Sequence, residues 1–191
     1  MQFGQNELYQ LMWRCIHLAR LSPTELRKPH VGALMLNASG HIIGEGYNSF
    51  VSSTNYTLHA ERMAILEALE KVKGEQLKGT TLVTTLEPCI DNYKQIFKSC
   101  STLIAESGIE HVVIGFPIYS PNVLRREGIK ALDQRGVQIT IFTALKKIIG
   151  DELMPPAYTQ AANYGLSDQN SAAHITNVAT IRAKEITSRV T

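Results

Sequence analysis

The sequence has little cysteine, little net charge and no long apolar run. Three cysteines among 191 residues are too few for a disulfide framework, and the first residues carry no secretion signal, so a metal site or a buried thiol is the expected use of these thiols. No apolar run approaches the roughly 20 residues of a membrane-spanning helix. A net charge of +2 gives no argument for a polynucleotide partner. We therefore expect a cytoplasmic protein without a membrane partner.

The length and the apolar pattern predict one folded domain followed by an appendage. A chain of 191 residues can bury a well-developed core, and periodic apolar patterns recur through residues 1–153. A Met-Pro-Pro sequence at residues 154–156 ends the last of these patterns. Residues 157–173 are rich in Ala, Asn, Gln, Ser and Tyr and have no apolar periodicity. We expect residues 154–191 to be partly disordered or to dock on a neighbouring subunit through a short helix.

Apolar periodicity predicts a β-hairpin followed by strands that alternate with helices. The predicted strands span residues 31–36, 41–48, 80–86, 111–116 and 137–142, and the predicted helices span residues 6–21, 58–72, 100–106, 123–134 and 144–153, the last interrupted by Gly150. Because helices connect the last three strands, two successive crossovers make these strands parallel.

The most informative chemical pattern is a histidine and a glutamate two residues apart, followed downstream by two cysteines. His59, Cys89 and Cys100 offer the nitrogen and sulfur ligands that zinc prefers. Three protein ligands with one open position are typical of a catalytic zinc site. Glu61 is placed to move protons beside the metal, although a glutamate in a first helical turn is also common as a partner of the helix dipole. Cys15 lies on the apolar stripe of the first helix, which favours an inert buried thiol.

These residues resemble the signature of the zinc-dependent cytidine and deoxycytidylate deaminase superfamily. The matching residues are His-Ala-Glu at 59–61, Pro-Cys at 88–89 and Cys100. The resemblance covers about residues 5–153, and it implies that residues 1–153 are a catalytic domain. The implied fold is a three-layer α/β/α arrangement around a five-stranded mixed sheet whose last three strands are parallel.

The resemblance also implies a role for each matching residue. His59, Cys89 and Cys100 would hold Zn²⁺, which makes hydroxide available at neutral pH. Glu61 would take the proton of the water and pass it to the ring nitrogen and then to the departing amine. The product would carry a carbonyl group where the amine was.

The hairpin before the histidine looks like the hairpin of tRNA adenosine deaminases and deoxycytidylate deaminases. The similar residues are Val-Gly-Ala at 31–33 and Gly-Glu-Gly-Tyr-Asn at 44–48. By this resemblance the amide of Asn48 binds the base that is deaminated. The alternative is an asparagine that ends a strand and opens a turn.

Residues 100–109 and 121–137 look most like the deaminase of riboflavin biosynthesis, which acts on a phosphoribosylaminopyrimidine. Two features of that family differ here. Its Asn-Pro before Val-Gly-Ala is Lys-Pro at residues 28–29, and its Gly-Arg-Thr-Pro-Pro loop before the second cysteine is absent. A free-standing relative with a different substrate is therefore an alternative.

The ten residues between the two cysteines, where most of the superfamily has two, predict a loop that overhangs the pocket. Tyr93 or Phe97 could stack on a base, and Lys94 or Lys98 could pair with a phosphate. The alternative is that these side chains only cover a surface loop.

The sequence thus predicts a zinc-dependent hydrolytic deaminase with a small nucleotide or base as substrate. A pyrimidine nucleotide or an aminopyrimidine of the riboflavin pathway is favoured, and we expect a homodimer. One alternative is deamination of a base in RNA or single-stranded DNA, which would require a basic channel near Asn48. Another is a zinc-stabilised binding or assembly subunit without turnover, against which the presence of Glu61 argues.

Overall fold

The structure is a computed structural model that describes residues 3–23, 28–49, 58–72, 77–90, 98–118, 127–156 and residue 159. The strands are β1 (Gly32–Leu36), β2 (Ile42–Tyr47), β3 (Thr81–Leu86), β4 (His111–Phe116) and β5 (Gln138–Ile141). The helices are α1 (Gln5–Arg20), α2 (Ala60–Lys71), α3 (Cys100–Glu106), α4 (Glu127–Gln134) and α5 (Lys146–Leu153). These elements are the five strands and five helices that the sequence predicts for residues 1–153.

The five strands form one mixed sheet in the order β2-β1-β3-β4-β5. β1 pairs antiparallel with β2 and with β3, whereas β3, β4 and β5 pair in parallel. Helices α1 and α5 contact each other, while α2, α3 and α4 form a second contiguous group. Every residue of β1, β3 and β4 is buried because helices cover these central strands. The predicted three-layer fold with three parallel strands is confirmed.

Four details of the predicted helices differ from the structure or lie outside the residues that it describes. α5 begins at Lys146 rather than at residue 144, and Gly150 lies inside this helix without interrupting it. A Cβ atom at Gly150 would lie 3.1 Å from the Phe116 ring, so glycine allows close packing there. The predicted start of α4 at residues 123–126 and the predicted helix near the C-terminus lie outside the described residues. The proposed domain boundary at residue 153 stays a prediction.

Two glycines of β2 allow α2 to lie directly on the sheet. A Cβ atom at Gly44 would lie 2.1 Å from the carbonyl oxygen of Ala64, and one at Gly46 would lie 2.2 Å from that of Ala60. Both distances are far shorter than a van der Waals contact. The atoms met belong to the main chain of α2, so the whole helix would have to move to relieve the clash. The position of the first turn of α2 therefore depends on the absence of a side chain at Gly46.

We expect Gly46→Ala to lower the free energy of unfolding by about 3 kcal/mol or more, because the added methyl group must displace α2 from β2. Thermal unfolding would measure the loss. Gly150→Ala is the matched control, since its added methyl group meets only side chains, those of Phe116 and Thr159, and alanine favours the helix. Equal losses in the two variants would contradict the close approach of β2 and α2.

None of the helices within the described part of the chain has the length and apolar character needed to cross a membrane.

Candidate metal centre and active site

Three side chains with ligand atoms for a metal meet where β3, α2 and α3 converge. His59 is the residue before α2, Cys89 follows the end of β3, and Cys100 is the first residue of α3. Their ligand atoms all lie within 4.8 Å of one another. The Nδ1 atom of His59 is 3.6 Å from Cys89 Sγ and 3.4 Å from Cys100 Sγ. The three residues singled out in the sequence are therefore brought together.

The spacing of these atoms fits a zinc ion. With bonds of about 2.3 Å to sulfur and about 2.0 Å to nitrogen, tetrahedral zinc places a sulfur and a nitrogen ligand roughly 3.5 Å apart. The two separations from His59 Nδ1 agree with this value. One imidazole and two thiols are also the donor set that zinc prefers over calcium or magnesium.

The hydrogen bond between the two thiols shifts their pKa values in opposite directions. A hydrogen bond from Cys100 lowers the pKa of Cys89 despite its burial. The same hydrogen bond and burial raise the pKa of Cys100. Burial acts to lower the pKa of His59, but the hydrogen bond with Cys89 and the charge of Glu61 outweigh it and raise that pKa. Zinc binds the thiolate form of both groups, so metal binding is coupled to the release of protons from them.

Glu61 is the second residue of α2 and lies in the first turn of that helix. Its side chain is buried, with 4% of the residue exposed. Burial raises the pKa of its carboxyl group to about 7. A carboxyl group with such a pKa can both accept and donate a proton near neutral pH. The glutamate that the sequence places beside the metal ligands thus has the environment of a general acid and base.

The family model of the cytidine and deoxycytidylate deaminase zinc-binding region matches residues 5–116. The chain belongs to this family. The resemblance inferred from the sequence is confirmed, and the family match together with the donor set identifies zinc as the metal of this site.

The chain matches only part of the length of its curated relatives. It is 34% identical to the riboflavin biosynthesis protein RibD of Escherichia coli over 71% of this chain and 33% of that protein. It is 31% identical to the tRNA-specific adenosine deaminase of Haemophilus influenzae over 49% of this chain and 50% of that protein. The chain thus spans a third of the length of the first relative and half that of the second.

Two solved structures have the same fold and are at least 25% identical in sequence to this chain. A diaminohydroxyphosphoribosylaminopyrimidine deaminase/5-amino-6-(5-phosphoribosylamino)uracil reductase from Thermotoga maritima has a TM-score of 0.61 and 34% identity, over 78% of this chain and 40% of that one. The dCMP deaminase of the cyanophage S-TIM5 has a TM-score of 0.55 and 25% identity, over 73% of this chain and 99% of that one.

Glu87, the residue before the Pro-Cys pair, is a buried carboxylate that the sequence analysis did not single out. It accepts hydrogen bonds from the main-chain N–H groups of Ile118 at 2.9 Å and Ile129 at 3.1 Å. A Cβ atom at Gly128 would lie 2.0 Å from the carbonyl oxygen of Pro88, so α4 approaches the motif closely there. Glu87 thus ties the ends of β3 and β4 to the first turn of α4. The sequence feature that could have pointed to Glu87 is its position between a buried strand and Pro88.

Asn48 is nearly fully buried and bonds to the main chain of the segment before β1. Its Oδ1 accepts from the Val31 N–H at 2.7 Å, and its Nδ2 donates to the Pro29 carbonyl oxygen at 2.8 Å. Asparagine has a limited number of donors and acceptors, so these bonds use part of the capacity that a substrate would need. The contacts give Asn48 a structural function, and its part in substrate binding stays a prediction.

We expect Asn48→Ala to reduce both kcat/KM and stability, since the variant leaves the Val31 N–H buried without this acceptor. The free energy of unfolding should fall by roughly 2 kcal/mol. Asn37→Ala is the matched control, because Asn37 Oδ1 likewise accepts from the main chain, from the N–H groups of Ser39 and His41, but in an exposed turn. Unchanged kcat/KM in Asn48→Ala, measured below its melting temperature, would remove Asn48 from the substrate site.

Of the four predicted loop residues, only Lys98 lies in the described part of the chain. Its side chain is exposed and pairs with Glu106 at the end of α3, while its carbonyl oxygen accepts from Arg62 of α2. Tyr93, Lys94 and Phe97 lie outside the described residues. The expected contacts of these four residues with a base or phosphate stay predictions.

Cys15 is fully buried in α1, as its position on the apolar stripe predicts. Its Sγ faces the carbonyl oxygen of Val83 at 3.6 Å, and burial raises the pKa of its thiol. A high pKa disfavours the thiolate that a metal requires. Among the described residues, the group that could hold a metal consists of His59, Cys89 and Cys100 without Cys15.

Proposed function

We propose that the chain is a zinc-dependent hydrolase that converts an exocyclic amine of a nucleobase-type small molecule to a carbonyl group and releases ammonia. The observation that carries this proposal is the burial of Glu61 beside a histidine and two cysteines that meet at zinc-ligand distances. A purely structural zinc site has no need of a buried carboxyl group that is not a ligand. Membership of the deaminase family supports the same reaction.

His59, Cys89 and Cys100 are the proposed ligands, and Glu61 is the proposed general acid and base. When bound, zinc supplies the Lewis acidity that makes water a nucleophile at neutral pH. Glu61 accepts a proton from the attacking water and donates it to the ring nitrogen. It then transfers the second proton of that water to the departing amine. The carbon exchanges its amine for an oxygen, and the sum of the steps consumes one water and releases one ammonia.

The favoured substrates are an aminopyrimidine of the riboflavin pathway and a pyrimidine nucleotide. Similarity to the riboflavin biosynthesis protein of Escherichia coli and to the aminopyrimidine deaminase of Thermotoga maritima supports the first substrate. Similarity to the cyanophage dCMP deaminase supports the second. The small net charge of +2 supports a small molecule over a polynucleotide. The tRNA-specific adenosine deaminase among the relatives makes a base in RNA the second candidate.

Ammonia release from a substrate panel tests this proposal. The panel contains a phosphoribosylated diaminopyrimidine, dCMP, CMP, cytidine and adenosine, with a tRNA anticodon stem-loop as the polynucleotide. We expect ammonia from one of the pyrimidines and none from the stem-loop. Ammonia from the stem-loop alone would replace the small-molecule substrate with RNA. No release from any compound would favour the binding or assembly subunit.

The homodimer and the cytoplasmic location stay predictions. Light scattering of the purified chain measures the first directly, since a dimer has twice the mass of the 21.2 kDa chain.

A further inference from the structure

Cys89 completes the amino-terminal end of α3 although ten residues separate it from that helix. The first N–H groups of a helix have no partner within the helix. Here the Cys100 N–H faces Cys89 Sγ at 3.3 Å, and the Ser101 N–H donates to the Cys89 carbonyl oxygen at 3.1 Å. The next N–H, of Thr102, donates to the Ser99 hydroxyl at 3.2 Å. One proposed zinc ligand thus serves as the acceptor for the first two N–H groups of the helix that carries another.

The side chain of Ser101 adds a second bond to the same carbonyl group. Its Oγ donates to the Cys89 carbonyl oxygen at 2.8 Å, and Ser101 is 1% exposed. The Ser99 Oγ lies 3.1 Å from the Ser101 Oγ. Because a hydroxyl group has one hydrogen, Ser101 accepts from Ser99 while it donates to Cys89. A chain of hydrogen bonds therefore runs from Thr102 through both serines to the Cys89 carbonyl oxygen.

A spacer of two residues would place both cysteines on one helical turn and so fix the separation of their sulfur atoms. The ten-residue spacer of this chain is too long to place both cysteines on one helical turn. We propose that Ser101 is a positioning residue of the metal centre. Its N–H and hydroxyl groups hold the carbonyl group of Cys89 and thereby fix Cys89 beside Cys100 in place of the helical turn. The inference rests on the proposed ligands and not on the reaction.

Three substitutions at one position separate the hydroxyl group from the shape of the side chain. Ser101→Ala and Ser101→Val remove the hydroxyl group, whereas Ser101→Thr retains it in a side chain of the same shape as valine. Contacts behind a ligand contribute about 10- to 100-fold to metal affinity. We expect the alanine and valine variants to bind zinc at least about tenfold more weakly in a competition titration. Their Co²⁺-substituted forms should also show shifted thiolate-to-cobalt absorption, whereas the threonine variant should keep the parental spectrum.

Thr102→Val is the control, because it removes from the first turn of α3 a hydroxyl group that faces Arg135 and takes no part in the hydrogen-bond chain to Cys89. It should leave the cobalt spectrum and the zinc affinity unchanged, whatever its effect on the melting temperature. If the alanine and valine variants keep the parental spectrum and affinity, even with a lower melting temperature, Ser101 only stabilises the fold and the proposal is wrong. If the unsubstituted protein binds no zinc, the assignment of His59, Cys89 and Cys100 as zinc ligands is wrong instead. If the alanine variant does not fold, the comparison of the threonine and valine variants still tests whether the hydroxyl group sets the zinc affinity.

Discussion

Replacing Glu61 with glutamine is expected to lower kcat by about a thousandfold or more, while one zinc ion per chain and the melting temperature are retained. Glutamine has nearly the shape of glutamate but cannot accept and return a proton, and general acid and base catalysis contributes about 10²- to 10⁴-fold. Burial of Glu61 in the first turn of α2 leaves little room for water to replace it. Steady-state ammonia release and metal analysis on the same preparation measure both quantities.

Glu70→Gln is the matched control for this prediction. Glu70 lies on the same helix but is exposed, so its substitution should leave turnover unchanged. Loss of stoichiometric zinc in Glu61→Gln would show that Glu61 is a ligand rather than a proton carrier. Full turnover in that variant would remove Glu61 from the mechanism.

Cys100→Ser is expected to lose most of the zinc and all measurable turnover, whereas Cys15→Ser keeps both. Cys100 Sγ lies 3.4 Å from the ring of His59 beside the other thiol. A serine hydroxyl group is not among the zinc ligands of such sites, so only two protein ligands would remain. Cys15 is buried in α1 against the carbonyl oxygen of Val83, and its raised pKa keeps the thiol protonated.

Atomic absorption of the folded fraction separates the two cysteines, since either variant can also lose stability. A melting curve of each apoprotein measures that loss independently of the metal. If zinc followed Cys15 instead, the long spacer would mean that the metal site has been rebuilt elsewhere. The mechanism proposed for Glu61 would then have to be withdrawn.

Local patterns in the sequence were sufficient to predict the elements of the fold and the residues that meet at the metal centre. The near-continuous apolar sequence of β4 predicts a buried strand, and the helices on either side make it parallel to its neighbours. The types and order of His59, Cys89 and Cys100 limit the chemistry to a few metals, of which zinc fits best. Both predictions depend on residues near one another in the sequence or on a recognisable motif.

The contacts that hold the site in place could not be predicted in this way. Glu87 bonds to N–H groups that follow it by 31 and 42 residues, and Ser101 bonds to a carbonyl group that precedes it by 12. Nearly every residue type has the same main-chain donor and acceptor, so the sequence does not show which main-chain group a side chain will bind. The main-chain bonds of Asn48 were missed for the same reason, since the resemblance implied contact with a base and the alternative was an asparagine that ends a strand and opens a turn.

The most direct test of a catalytic zinc site built from His59, Cys89 and Cys100 is the recovery of activity as zinc is added back to the apoprotein. Zinc is removed with a chelator, and ammonia release is then measured against the number of zinc ions added per chain. Activity should be absent without metal, rise linearly and reach a plateau at one zinc ion per chain, because three ligands hold one ion. Full activity of the metal-free protein would contradict the account, as would a protein that binds one zinc ion without regaining activity.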